Sequence, residues 1–144
     1  MRKRYRWLIG STAAAAVLAP VAYAGYALAN WDGSPAAADC SKVMAFAGGS
    51  LPAEATGATC ADNGGWQERG YTAEFRMPRT DLAARLAAAF PRVRLDTDTS
   101  AGLGFGNAHE TDGSRPAEQA TVLRLRADYE ADGTARVKLD AFNT

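Results

Sequence analysis

No charged residue occurs between Arg6 and Asp32, and this constrains the chain more than any other feature of its sequence. The uncharged run holds the 25 residues from Trp7 to Trp31. About 20 residues, at a rise of ~1.5 Å each, cross the hydrocarbon core of a bilayer. Such a run has two fates. Arg2, Lys3, Arg4 and Arg6 form a basic start, Leu8–Ala19 an apolar core, and Pro20 a break. Both Ala22-Tyr23-Ala24 and Ala27-Leu28-Ala29 have the small-x-small form of a signal-peptidase site, which suits a leader cleaved at Ala24 or Ala29. The length of the run suits a retained anchor instead. So do Trp7 and Trp31 at its two ends, where amphipathic rings favour the membrane interface. We expect the anchor, with cleavage and secretion as the alternative. On either reading the basic residues stay cytoplasmic and everything beyond Trp31 is exported. The expected division is a basic start and anchor over 1–31 and an exported domain over 32–144.

Dividing the chain there removes its apparent neutrality. Of 16 basic and 16 acidic residues, four bases and no acids precede Trp31, so the exported part carries 12 bases, 16 acids and a formal charge of −4. A mildly acidic domain lacks the basic face that displaces counterions from phosphates, so no nucleic-acid partner is expected. The expected partners are the membrane, through the anchor, and another protein of the cell envelope.

Cys40 and Cys60 are the only cysteines, and both are exported. An even count in an oxidising compartment reads as one disulfide. Closing a loop of about 20 residues stabilises by ~3 kcal/mol when the geometry is unstrained. A lipid-modified Cys40 fits poorly, because Ala-Ala-Asp precedes it and the apolar core lies far upstream.

The exported part reads as alternating helix and strand. Ser34 can cap a helix with Pro35 at its first position, and Gly48-Gly49 can end it. Cys40, Val43, Met44 and Ala47 then share one face. A short strand is expected over Ala58–Ala61, followed by a turn at Asn63-Gly64-Gly65. Tyr71, Ala73, Phe75 and Met77 alternate with Thr72, Glu74 and Arg76, the mark of a half-buried strand that Pro78 ends. Thr80 can cap a second helix whose stripe is Leu82, Leu86, Ala89 and Phe90. Arg92–Thr97 reads as a further strand with Val93 and Leu95 inward.

The C-terminal register follows from parity. Leu123, Leu125, Ala127 and Tyr129 share a face, as do Val137, Leu139 and Ala141. All are odd-numbered, so like faces meet only when paired positions have an even sum. A two-residue Asp132-Gly133 loop gives an odd sum. A three-residue loop, Ala131-Asp132-Gly133, pairs Ala127 with Val137 and Leu125 with Leu139, and puts Gly133 where a left-handed residue is needed. Asp128 then lies opposite Arg136 and Arg124 opposite Asp140, leaving Arg126 opposite Lys138 as the one unfavourable pair. The expected class is α+β: an N-terminal transmembrane helix, then a small antiparallel sheet with two helices packed on one face.

Candidate chemistry is sparse. Gly102-Leu103-Gly104-Phe105-Gly106-Asn107 matches neither the dinucleotide nor the phosphate-loop spacing, and no lysine follows. With the polar stretch through residue 118 it reads as a mobile loop in which Phe105 touches the core or a partner. His109, the single histidine, has Glu110 and Asp112 beside it. A metal site needs three or four converging ligands, so a solvated loop histidine is expected. The alternate acids of Asp96-Thr97-Asp98 lack the glycine and glutamate of a calcium loop and mark a strand end. Trp66 is expected to be buried. No nucleophile elbow frames a serine, histidine and aspartate. Site residues are thus confined to the disulfide, with no catalytic group, cofactor or metal expected.

In its basic start, apolar segment, Asp39–Gly48, Leu51–Ala55, Tyr71–Leu86 and terminal hairpin, with 13 arginines to three lysines, the chain resembles the small single-pass exported proteins of GC-rich Gram-positive bacteria. That group has no assigned activity, so the resemblance implies location and supplies no site residues. The expected function is a non-catalytic binding or interaction module tethered outside the membrane. Two alternatives stand beside it: a small hydrolase or lyase using the 96–118 loop, and a cleaved, secreted, inhibitor-like protein.

Overall fold

A computed structural model describes residues 35–65, 68–107 and 116–144. Pro35–Thr144 form one compact unit. The Trp7–Trp31 segment lies outside the described residues, among which no helix is long and apolar enough to cross a membrane.

In chain order the elements are β1 (Ala36–Ala37), α1 (Cys40–Ala47), β2 (Thr56–Asp62), β3 (Gly70–Pro78), α2 (Leu82–Ala89), β4 (Val93–Asp98), β5 (Gly102–Asn107), β6 (Val122–Tyr129) and β7 (Thr134–Phe142). The seven strands make one sheet in the order β1-β2-β3-β7-β6-β5-β4, and every neighbouring pair is antiparallel. The α+β class and the antiparallel sheet are as the sequence predicts. Two strands are additional.

The first is β1. Residues 36–37 do not continue a helix from Ser34–Pro35. They pair with β2, Ala36 with Asp62 and Ala37 with Ala61. The helix starts later because Asp39 caps it: its Oδ1 accepts from the Ser41 amide at 2.9 Å. Gly48, at φ 68°, ends it in the left-handed turn that glycine adopts without strain. The second is β5, which occupies residues 102–107 of the stretch expected to be a mobile loop. It pairs with β4 on one side and β6 on the other, so Asp98 and residues 102–107 are ladder, joined by a tight turn over 99–101.

The hairpin has the register that parity demands: Ala127 opposite Val137, Leu125 opposite Leu139, Arg126 opposite Lys138. Gly133 takes φ 82° in the three-residue loop, which the Glu130 amide closes on the Thr134 carbonyl at 2.9 Å. The second helix lies where the apolar stripe places it, but its cap is Asp81, at φ 53° and without a side-chain bond, instead of Thr80.

One face of the sheet holds the core. Tyr71, Ala73, Phe75 and Met77 of β3, Leu123, Leu125 and Ala127 of β6, and Ala135, Val137, Leu139 and Ala141 of β7 are all buried. Val43, Met44, Phe46 and Ala47 of α1, with Leu82, Leu86 and Ala89 of α2 and the adjacent Phe90, complete the same cluster. Both helices therefore pack on this one face. The Phe46 and Tyr71 rings meet edge to face with centroids 5.0 Å apart. Cys40 and Cys60 form the expected disulfide, joining the first turn of α1 to β2 with Cα atoms 5.3 Å apart. The helices do not reach β4 fully: Val93 is buried, while Leu95, expected inward, is 44% exposed on this edge strand.

A candidate binding face on the open side of the sheet

With the odd-numbered residues of β3, β5, β6 and β7 committed to the core, the even-numbered ones form an open face, joined by odd-numbered residues of β2 and by Thr97 beyond the β4 bulge. Register fixes their neighbours. One row across the sheet reads Thr59, Glu74, Lys138, Arg126, Gly104, Thr97. The next includes Ala61, Thr72, Asp140 and Arg124, and on the far strand Arg94 opposite Gly106.

The β3–β7 half of this face is neutralised. Glu130 accepts from Arg76 at 3.2 Å and Arg136 at 3.0 Å, and its Oε2 takes the Thr134 hydroxyl at 3.0 Å. Glu74 lies 3.6 Å from both Arg136 and Lys138. The cross-strand pairs that the register offers, Asp128 with Arg136 and Arg124 with Asp140, do not close into ion pairs. Arg136 turns toward Glu130 and Glu74, and Arg124 lies 5.6 Å from the Phe142 ring centroid. Arg76 and Arg136 can converge on Glu130 because it sits past the end of β6, beside the hairpin turn.

The β4–β6 half is built differently. Among the described residues, Arg94 and Arg126 have no acidic partner within 4 Å, and Arg124 has only its ring contact. Beneath them β5 presents Gly104 and Gly106 to the open face, so this part of the strand is a trough of bare backbone. A bulge in β4 between Leu95 and Thr97 brings Thr97 opposite Gly104, so that Asp96 and Thr97 both meet this face. Its two carboxylate oxygens lie 3.2 and 3.3 Å from where Cβ atoms on Gly104 and Gly106 would sit. The resulting cleft has a volume of about 510 Å³. Gly104 and Gly106 floor it, Arg124 and Arg126 with Lys138 and Asp140 beyond them wall one side, and Asp96 and Thr97 wall the other. Asn107 closes one end of the strand pair, donating to the Thr121 carbonyl at 2.7 Å and accepting from the Leu123 amide.

His109, Glu110, Asp112 and Trp66 lie outside the described residues, where the expectations for them stay. Among the described residues no three histidine, cysteine or carboxylate side chains converge as metal ligands. The acids of Asp96-Thr97-Asp98 do fall at a strand end, as expected, but Asp96 also helps to form the cleft. The sequence signal for that cleft was the alternation of Leu103 and Phe105 with three glycines: an amphipathic strand with nothing on its outer face. Comparison with known families, curated proteins and solved structures finds no match for this chain.

Proposed function

We propose that the protein is a non-catalytic binding module of the cell envelope, held at the membrane by its N-terminal segment and engaging its ligand through the open face of the sheet. The cleft over Gly104 and Gly106 carries this reading. It is open to solvent, its walls are hydrogen-bonding groups, and its arginines are not consumed by the ion-pair network beside them. The Cys40–Cys60 disulfide supports the exported location, since such bonds persist in oxidising compartments. The uncharged Trp7–Trp31 run supports the tether.

Fractionation tests the tether. The full chain is expected to pellet with membranes, to resist high salt and alkaline extraction, and to dissolve in detergent. A soluble species beginning at Gly25 or Asn30 would make the protein a secreted one. Non-reducing mass analysis of envelope-derived protein should show two hydrogens fewer than the reduced chain.

A further inference from the structure

We infer that the trough along β5 is a site for an extended anionic chain whose oxyanions, carboxylate or phosphate, are taken by Arg124, Arg126 and Arg94; this rests on the binding-module reading above.

The glycines carry the argument, because the fold requires one of the three outright and Gly106 least. A Cβ on Gly102 would lie 2.0 Å from the Ala127 carbonyl oxygen, a backbone atom fixed in the ladder. Glycine is structurally required there. At Gly104 the nearest atoms to an added Cβ are Asp96 Oδ1 and Thr97 Cβ, both at 3.2 Å, and at Gly106 the only near atom is Asp96 Oδ2 at 3.3 Å. The Asp96 oxygens are the free end of a surface side chain, whereas Thr97 Cβ is fixed to the backbone, so Gly106 is the position with the least packing demand. Glycine inside a strand costs about 0.5–1 kcal/mol relative to alanine, and where packing does not require it, it marks a close approach by something else. Gly104 and Gly106 keep the floor low enough for a ligand to lie along the strand.

The walls supply the chemistry. Arg126 pairs in register with Gly104, and Arg124 and Arg126 line the cleft from the β6 side, while Arg94 lies opposite Gly106 on β4, next to the cleft. Planar guanidinium forks match carboxylate and phosphate oxygens, and charge-assisted bonds of this kind are the strong ones. The cleft lining holds Arg124, Arg126 and Lys138 against Asp96 and Asp140, an excess of one positive charge, with Arg94 beside it on β4. It is a locally positive strip on an exported part whose formal charge is −4. A trough open along the strand suits a chain better than a compact ion. Asp96 crosses the floor where the ligand would lie, so it competes with an anion and must swing aside when one binds.

The test uses the full chain in nanodiscs of neutral lipid and three probes: an oligo(glycerol phosphate), an oligogalacturonate and a neutral dextran of similar length. Calorimetric titration should show binding of at least one anionic probe, weakened by added salt, and none of dextran. Which anion binds identifies the source of the oxyanion. Arg126→Gln should weaken binding about tenfold, the loss of one charge-assisted contact. Gly104→Val should abolish it by filling the floor, and Asp96→Asn should tighten it about threefold by removing the competing charge. Gly104→Ala serves where the valine variant does not fold, and an unchanged disulfide and melting temperature certify each variant. Binding of dextran alone would overturn the anion assignment and leave the binding-module reading standing. Binding of no probe, or equal binding by wild type and Gly104→Val, would overturn the trough as the site. Anion binding that Glu74→Gln alters and Arg126→Gln does not would move the site to the other half of the face while keeping the module.

Discussion

The two halves of the open sheet face share a backbone and differ in what their side chains do with charge. Over β3 and β7, Arg76, Arg136 and Lys138 are drawn to Glu130 and Glu74, and the surface neutralises itself. Over β4, β5 and β6, Arg94, Arg124 and Arg126 stand beside a glycine floor, and among the described residues none of these three arginines has a carboxylate within 4 Å. Exposed ion pairs contribute little, typically under ~1 kcal/mol, so the first half gains modest stability from its network. The second forgoes even that, and gives up strand propensity at two glycines. Where a fold spends stability without a packing return, the surface is arranged for something outside it.

Four predictions sharpen or break that contrast. The largest effect belongs to the core both halves share. Phe75 is 1% exposed, and Phe75→Ala should cost about 4 kcal/mol by urea denaturation. Next comes the disulfide. Converting Cys40 and Cys60 together to alanine should cost about 3 kcal/mol in the same assay, by releasing a 20-residue separation in the unfolded chain. The third separates the glycines. Gly102→Ala should destabilise by about 2 kcal/mol or more, since a carbonyl of the ladder must move. Gly106→Ala should be neutral or stabilising by about 0.5 kcal/mol, and Gly104→Ala, whose Cβ would press on Thr97 Cβ, should cost less than Gly102→Ala. Equal losses at all three would mean that the floor is a packing requirement, and the contrast would fail. The fourth concerns charge. Glu130→Gln should cost up to about 1 kcal/mol, whereas Asp96→Asn should cost nothing measurable by thermal melting.

The acid limb of stability should come from neither half of the cleft. Ser41, through its amide and hydroxyl, holds the Asp39 carboxyl below its ordinary value, and Thr134, through its hydroxyl and amide, does the same for Asp132. Both pKa values are depressed in the folded state. Their stabilisation is therefore present above the ordinary carboxylate value of 3.8 and is lost as pH falls through the folded values. Urea midpoints followed down to about pH 2 should fall less steeply for Asp39→Ala and Asp132→Ala than for wild type.

The sequence is most legible where one signal suffices. Parity alone sets the β6–β7 register, and alternation alone places β3. The apolar stripe places α2, and two exported cysteines place the disulfide. It is least legible where tertiary pairing decides. Pro35-Ala36-Ala37 has a helix-start composition, yet Ala36 and Ala37 satisfy their backbone on β2 and Asp39 takes the cap. Leu95 has an inward pattern, but it sits on an edge strand the helices do not cover. The miss that matters most is β5. Glycine's low strand propensity concealed the alternation of Leu103 and Phe105, and with it the floor of the cleft.

The most direct measurement is a residue-resolved titration. Amide NMR spectra of the full chain in nanodiscs, with and without whichever anionic oligomer binds, would place the ligand on one half of the face. The account predicts that shifts concentrate at residues 94–97, 104–106 and 124–126, with Glu74 and Arg136 nearly unmoved. Shifts centred on β3 and β7, or on α1 and α2, would contradict it.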